Sequence, residues 1–262
     1  MTALLQVDHL SLRFGGIVAL NDVSFGMAAG ELLAIVGPNG AGKTSLLNCI
    51  TGAYHATEGN VMFEGKDITH QPAHKAAKRG MARTFQHNEL FPHLTTLENL
   101  LLGRHALLNY SLFGAALYLG TARSWELKQR ERVEAVIDFF ELEPYRKQLV
   151  GDLPYGIQKL IGLARAFAAE PRLVLLDEPS AGLNRQEKED LARYLLRVRH
   201  EFSPTMVWIE HDMQLVRDLA DQVLVLHYGR ELAIGLPEAV LSDPRVIEAY
   251  IGKRNSGAGA AN

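Results

Sequence analysis

A glycine-rich stretch with the sequence GPNGAGKTS, residues 37–45, has the residue types and spacing needed to bind a phosphate group. It matches the pattern G-x-x-x-x-G-K-[ST], in which glycines let backbone N–H groups curl around an anion at the start of a helix. Unless the stretch is only an ordinary turn before a core helix, Lys43 would reach the β- and γ-phosphates of a nucleotide and the Thr44 hydroxyl would bind Mg²⁺. The loop residues expected to surround the phosphates are Gly37, Asn39, Gly40, Ala41, Gly42, Lys43, Thr44 and Ser45.

Two adjacent acids follow an apolar run in the sequence LVLLDEP, residues 173–179. Asp177 is expected to hold the Mg²⁺ ion, directly or through water. Glu178 is placed to accept a proton from an attacking water, a role that needs a carboxylate within hydrogen-bonding reach. The alternative is a pair of surface acids closing a strand, but the glycine-rich loop upstream favours a metal ligand and a base.

These residues need a scaffold in which strands alternate with helices. Apolar runs at 32–36, 173–176, 205–209 and 222–227 predict buried strands, and patterns of helical spacing follow Lys43 and cover 157–169, 185–202 and 213–220. Such alternation predicts a parallel sheet with right-handed crossovers, whose ligands bind at the carboxyl ends of the strands. Gly37, Asp177 and His211 fall at strand ends, as does Gln86 after a short strand at 81–85.

Two further regions surround this scaffold. Residues 4–27 alternate apolar and polar positions and predict antiparallel strands, with another hairpin at 59–68. Phe14 is a candidate to stack on a purine ring, and a strand aromatic in a small core is the alternative. Residues 87–150 carry long helical patterns, including a capping box at Thr95 and Glu98, and predict an inserted helical subdomain.

Composition restricts the class of protein. The net charge of −3 over 262 residues argues against broad binding to nucleic acid, and the single cysteine, Cys49, excludes an internal disulfide. The longest weakly polar segment, residues 112–120, is about half of the ~20 residues needed to span a bilayer. The first ten residues do not resemble a signal peptide. We therefore expect a cytoplasmic protein whose membrane role, if any, comes through a partner.

Together these motifs resemble the nucleotide-binding subunits of ATP-binding cassette (ABC) transporters along essentially the whole chain, which is expected to be one domain, residues 1–262. The resemblance implies an α/β fold of the P-loop NTPase type, with a mainly parallel core sheet, an N-terminal antiparallel β-subdomain and an inserted α-helical subdomain against which helix 153–169 packs. It implies that Gln86 contributes to catalysis and metal binding, that His211 contacts the γ-phosphate, and that Phe14 stacks on the purine.

The family signature, close to L-S-G-G-Q, is replaced here by LPYGIQ, residues 153–158. The resemblance implies that Tyr155, Gly156 and Gln158 contact ATP held by the phosphate loop of a second subunit, which is identical or different. Pro154 stands at the usual serine and lacks its hydroxyl, and Asn184 stands where many members have aspartate. Two such subunits would sandwich two ATP molecules and drive an integral membrane permease from the inner face of the membrane.

A narrower resemblance is to the ATP-binding subunits of branched-chain amino acid uptake systems. It rests on RTFQ (residues 83–86), SAGLN (180–184), IEHDM (209–213) and a C-terminal extension at 235–252, followed by a tail at 253–262 that is expected to be flexible. It implies ATP-driven import of a small solute, delivered by a periplasmic or extracellular binding protein. The alternative is a soluble ATPase acting on nucleic acid or ribosomes. A regulatory module without turnover is disfavoured by Glu178.

Overall fold

The computed structural model describes residues 3–84, 90–104 and 121–251. Its strands are β1 (Leu5–Phe14), β2 (Ile17–Met27), β3 (Leu32–Val36), β4 (Glu58–Phe63), β5 (Lys66–Asp67), β6 (Met81–Thr84), β7 (Leu173–Asp177), β8 (Thr205–Ile209), β9 (Gln222–His227) and β10 (Arg230–Gly235). Its helices are α1 (Lys43–Ile50), α2 (Ala73–Lys78), α3 (Thr96–Gly103), α4 (Thr121–Phe139), α5 (Tyr155–Ala168), α6 (Arg185–Phe202), α7 (Met213–Leu219), α8 (Pro237–Leu241) and α9 (Pro244–Ile251).

The strands of the described residues form two sheets. The larger has the order β10-β9-β3-β8-β7-β6, in which only β10, at one edge, is antiparallel to its neighbour. The smaller is antiparallel, with the order β2-β1-β4-β5. Every residue of β3, β7 and β8 is buried, as expected for parallel strands that are covered on both faces.

The side chains of β3 divide among three apolar clusters. Leu33 and Ile35 pack with the antiparallel sheet and α1. Leu32 packs on the opposite face, in the cluster that α3, α4, α5 and α6 form. Ala34 and Val36 pack with β9, α7, α8 and α9. The strand that leads into the glycine-rich loop is therefore held from several directions at once.

Helices dominate the described residues between β6 and β7. Helix α3 begins at a complete capping box, in which the Glu98 N–H donates to the Thr95 hydroxyl and the Thr95 N–H donates to the Glu98 carboxylate. Helices α3 and α4 both pack against α5, and short 3₁₀ turns at Glu143–Tyr145 and Val150–Asp152 lead towards it. The boundaries of the inserted subdomain, 87–150, stay a prediction.

The predicted fold class is confirmed, and β3, β8, β9 and α6 begin and end at the predicted residues. The patterns did not predict α2, α8, α9 or β10, because the helices are short and β10 is a half-exposed edge strand. Gln86 and the predicted flexible tail lie outside the described residues. Within the described ranges, each helix is either too short or too polar to cross a lipid bilayer.

Candidate active site

The glycine-rich loop joins the buried strand β3 to α1. Gly37, Gly40 and Gly42 have φ values of +147°, +79° and +102°, in the region that favours glycine. A Cβ on Gly37 would lie 2.1 Å from the Leu226 carbonyl oxygen, and one on Gly42 would lie 2.6 Å from the Ala19 carbonyl oxygen. In the described residues no side chain caps α1, so its first N–H groups are available to an anion.

Lys43 opens α1 and folds back over the loop. Its side chain is buried, and its Nζ donates to the carbonyl oxygens of Gly37 at 2.7 Å and Pro38 at 3.1 Å. Thr44, the next residue, is exposed, and Ser45 is half-buried. The ammonium group and the hydroxyl therefore stand at the loop where a nucleotide's phosphates and metal would be expected.

Cys49 lies on the buried side of the same helix. It is 1% exposed and packs in the core beneath the loop. Burial raises the pKa of this thiol to about 11. Cys49 is therefore a buried core residue whose thiol stays protonated at neutral pH.

Asp177 is the last residue of β7 and is almost completely buried. Its Oδ2 accepts a hydrogen bond from Arg83 Nη2 at 2.9 Å, and Arg83 Nη1 donates to Asn48 Oδ1 at 2.5 Å. Its Oδ1 is buried and has no hydrogen-bond partner in the described part of the chain. A buried carboxylate oxygen without a partner fits a Mg²⁺ ligand, because such an oxygen is costly unless it binds a proton donor or a cation.

Glu178 follows at once and pairs with His211. The ladder places Asp177 opposite Ile209, so the loops after β7 and β8 lie side by side. Glu178 Oε1 is 2.7 Å from His211 Nε2, and both groups are reachable by solvent, with side-chain exposures of 16% and 41%. The candidate base and the candidate γ-phosphate contact are thus brought together at the carboxyl edge of the sheet, as the sequence predicts.

Phe14 ends β1 and is 47% exposed. Its ring and the Tyr54 ring form a T-shaped pair, with centroids 5.2 Å apart. A largely exposed aromatic ring has a face available for stacking, so the geometry is compatible with the purine-stacking interpretation. The role of Phe14 stays a prediction.

The signature-like segment begins α5. Pro154 is the N-cap residue and supplies no side-chain hydrogen bond, and Tyr155 is 48% exposed. A Cβ on Gly156 would lie 2.2 Å from Glu187 Oε1, so the first turn of α6 fills the space beside this glycine. Gln158 Nε2 donates to the Leu153 carbonyl oxygen at 2.8 Å, which ties the helix back to the preceding turn. Their contacts with a second subunit's ATP stay predictions.

Two polar residues at this edge were not anticipated as site residues. Glu210, between β8 and His211, is 1% exposed, and burial raises the pKa of its carboxyl group to about 7. The Ser180 hydroxyl donates to Glu210 Oε1. The sequence signal is one of position only, because Glu210 directly follows the buried strand β8 and directly precedes His211.

The chain matches two known family models. The model described as ABC transporter covers residues 20–181. The model described as branched-chain amino acid ATP-binding cassette transporter covers residues 230–254. The second match begins at β10, five residues before the predicted C-terminal extension.

Similar proteins were found by sequence and by structure. The high-affinity branched-chain amino acid transport ATP-binding protein BraF of Pseudomonas aeruginosa is 38% identical, over 95% of this chain and 98% of its own length. LivG of Escherichia coli K12, which bears the same description, is 36% identical over the same shares. The ADP conformation of an ATP-binding cassette from an ABC transporter superposes with a TM-score of 0.84 at 32% identity, covering 96% of this chain and all of that one.

Proposed function

Because the chain belongs to the ABC transporter family, we propose that it is the ATP-hydrolysing subunit of an importer for branched-chain amino acids or related small solutes. The observation that carries the proposal is the meeting of the glycine-rich loop, Asp177 and the Glu178–His211 pair at one edge of the parallel sheet. The relatives are branched-chain amino acid transport ATP-binding proteins. The alternative, action on nucleic acid or ribosomes, is therefore not favoured.

In this proposal the glycine-rich loop and α1 bind ATP. The uncapped N–H groups of α1 and the Lys43 ammonium group meet the phosphates, and the Phe14 ring stacks on the purine. Thr44, Asp177 and Gln86 hold Mg²⁺, which when bound neutralises charge on the phosphate oxygens. For Asp177, the partnerless buried oxygen supports this role.

In this proposal Glu178 and His211 carry out ATP hydrolysis. The Glu178 carboxylate accepts a proton from the attacking water, and the His211 ring, 2.7 Å away, orients that carboxylate and contacts the γ-phosphate. Gln86 is proposed to help place the water and the metal. The roles of these residues are carried over from the family resemblance, and the placement of Glu178 and His211 side by side supports them.

A permease is the proposed mechanical partner. A groove of about 270 Å³ lies between α2 and α5 and is lined largely by alanines, among them Ala73, Ala77, Ala166 and Ala169, and also by Arg83. Small apolar side chains leave room for a short permease helix. The half-exposed Phe91, five positions after Gln86, would extend this contact. The chain would then sit peripherally on the inner face of the membrane.

A second ATPase subunit completes the proposed machine. The signature-like segment would face ATP on the partner's phosphate loop, and the exposure of Tyr155 is compatible with such a contact. Closure on ATP and reopening after hydrolysis would move the permease, because a ligand that binds only the closed pair shifts the equilibrium toward it. A solute-binding protein outside the membrane is proposed to deliver the cargo to the permease.

Two measurements test the proposal. The full-length chain should give heat with Mg-ATP in calorimetry and should co-purify with an integral membrane protein from its own cells. Lys43→Ala should weaken nucleotide binding at least about tenfold, because a charge-assisted contact contributes roughly 1.5 to 3 kcal/mol. Absence of heat with wild-type protein would refute ATP binding, and co-purification with ribosomes instead of a membrane protein would refute the transport role.

A further inference from the structure

The loops after β7 and β8 are joined by more than the Glu178–His211 pair. Deeper in the protein, the Ser180 hydroxyl donates to Glu210 Oε1. Both of these residues are buried, at 5% and 1% exposure. The two side-chain contacts run between the same two loops, with Glu178 and Ser180 on one side and the consecutive residues Glu210 and His211 on the other.

Glu210 also lies next to His211 itself, because the two residues are consecutive in the chain. The other charged groups that act on the Glu210 carboxylate are Asp212 and Lys188. Those two form an ion pair with each other, with Lys188 Nζ 2.8 Å from Asp212 Oδ2. The Ser180–Glu210 hydrogen bond therefore links the residue directly before the histidine to the loop carrying Glu178.

We propose that Glu210 is a positioning residue, which through its hydrogen bond with Ser180 and its place directly before His211 sets the separation between the Glu178 carboxylate and the His211 ring. The proposal rests on the roles suggested above for Glu178 and His211. Neither Glu210 nor Ser180 touches the nucleotide in this scheme. They affect the reaction only by fixing the positions of Glu178 and His211, the two residues that act on the nucleotide.

The backbone of Glu178 explains why such a link is useful. Its φ is +50°, a left-handed conformation that a non-glycine residue keeps only when its surroundings enforce it. The Glu178 N–H donates to the Ile209 carbonyl oxygen at 3.1 Å, which fixes one side of the turn. The Ser180–Glu210 hydrogen bond fixes the other side, two residues further on. Without this hydrogen bond, the Glu178 carboxylate and the His211 ring would no longer be held at a fixed distance.

The test separates turnover from binding in the full-length chain. Ser180→Ala and Glu210→Leu should each lower Mg-ATP turnover about tenfold, the effect of losing one hydrogen bond that orients reacting groups, because leucine, unlike glutamine, has no oxygen to accept from the Ser180 hydroxyl. The dissociation constant for Mg-ATP should change less than twofold, because the loop and Lys43 carry the binding. Ser180→Thr keeps the hydroxyl and should retain turnover within twofold of wild type. The double variant should be no slower than the slower single variant, because both changes remove the same link.

Ser11→Ala is the matched control. Ser11 is also 5% exposed, and its hydroxyl accepts one hydrogen bond, from the Asp22 N–H at 3.1 Å, in the antiparallel sheet. The Ser11→Ala variant should leave Mg-ATP turnover unchanged. If Glu210→Leu does not fold, Ser180→Ala and Ser180→Thr still decide the question.

Three outcomes would overturn the inference. They are wild-type turnover in Ser180→Ala and Glu210→Leu, equal losses of turnover and affinity, or no rescue by threonine. His211→Ala separates this failure from failure of the proposed function. If His211→Ala turns over normally, the proposed role of His211 is wrong, and the positioning role falls with it. If His211→Ala is slow while Ser180→Ala and Glu210→Leu are normal, only the positioning role is wrong.

Discussion

Glu178 combines a left-handed backbone with a side chain that meets a histidine. A left-handed residue with a Cβ costs roughly 1–2 kcal/mol, so the surrounding contacts must favour it. Here the turn directs the carboxylate toward the His211 ring at 2.7 Å and leaves it 16% exposed. A base that water can reach and that a neighbour holds in place suits proton abstraction.

Glu178→Gln should bind ATP but lose roughly 10² to 10⁴ in turnover, because the amide cannot accept the proton from water. The change keeps the size of the side chain, so the dissociation constant for Mg-ATP should stay close to that of wild type. Steady-state phosphate release and calorimetry measure the two quantities. Unchanged hydrolysis would remove Glu178 from the role of base.

Glu210 should make stability depend on pH. Burial raises its pKa from 4.5 to about 7, so between these values the folded protein holds a proton that the unfolded chain has released. The contribution of this group to the free energy of unfolding is therefore largest below pH 4.5 and falls as the pH rises to about 7. Urea unfolding of wild type and Glu210→Gln at pH 5, 6, 7 and 8 gives the difference. The variant should gain stability relative to wild type across this window, and parallel curves would contradict the assignment.

At the scale of elements, the start of α5 is where the chain departs from its family. Pro154 occupies the N-cap with φ −55° and ψ 147°, and it offers no oxygen to the N–H groups of the first turn. The proline fits sterically, since a fixed φ suits this position, but the helix begins without a side-chain cap. The missing hydroxyl is also the one that the family signature would present to a second subunit.

Pro154→Ser should speed ATP turnover of the isolated chain. Serine restores the hydroxyl, and Pro154→Ala removes the ring without supplying an oxygen. The serine variant should be about 1 kcal/mol more stable than the alanine variant, the usual contribution of an N-cap hydrogen bond. Thermal unfolding and phosphate release over a range of protein concentrations measure both effects. Equal turnover in the two variants and wild type would show that the proline is neutral.

The C-terminal elements support the glycine-rich loop from behind. Val240 of α8 and Val246 of α9 pack with Ala34 and Val36, the residues of β3 that lead into the loop. The Tyr250 hydroxyl is buried beside the Gly37 backbone, and burial raises its pKa to about 12. The segment that matches the branched-chain amino acid transporter model therefore braces the strand on which the phosphate loop depends.

At the scale of the whole molecule, sequence reasoning succeeded where one physical cause dominated. Long apolar runs and capped amphipathic stretches predict β3, β8 and α6, because complete burial or a single apolar face determines each of them. The same reasoning placed Gly37, Asp177 and His211 at one sheet edge, since parallel strands share their carboxyl ends.

Other features depend on contacts that no local pattern reveals. The β10 segment forms a strand because it pairs with the edge of β9, whereas its own alternation of apolar and polar residues is weak. Arg83 contacts both Asp177 and Asn48, residues far apart in the chain. The Ser180–Glu210 bond spans thirty positions and depends on two loops meeting across neighbouring strands. Such pairings follow only from the assembled sheet.

Because Cys49 is buried in α1, the rate at which its thiol is alkylated reports how often the region of the nucleotide loop opens. It is the only cysteine in the chain, and a thiol that is 1% exposed with a pKa of about 11 reacts with an alkylating reagent only after α1 separates from the core. If the opened form cannot hold Mg-ATP, nucleotide at about 100 times its dissociation constant should slow alkylation about a hundredfold. Mass spectrometry follows the labelling over hours, and Lys43→Ala should lose most of the protection. The alkylation rate thus measures how often α1, the helix that carries Lys43, separates from the core.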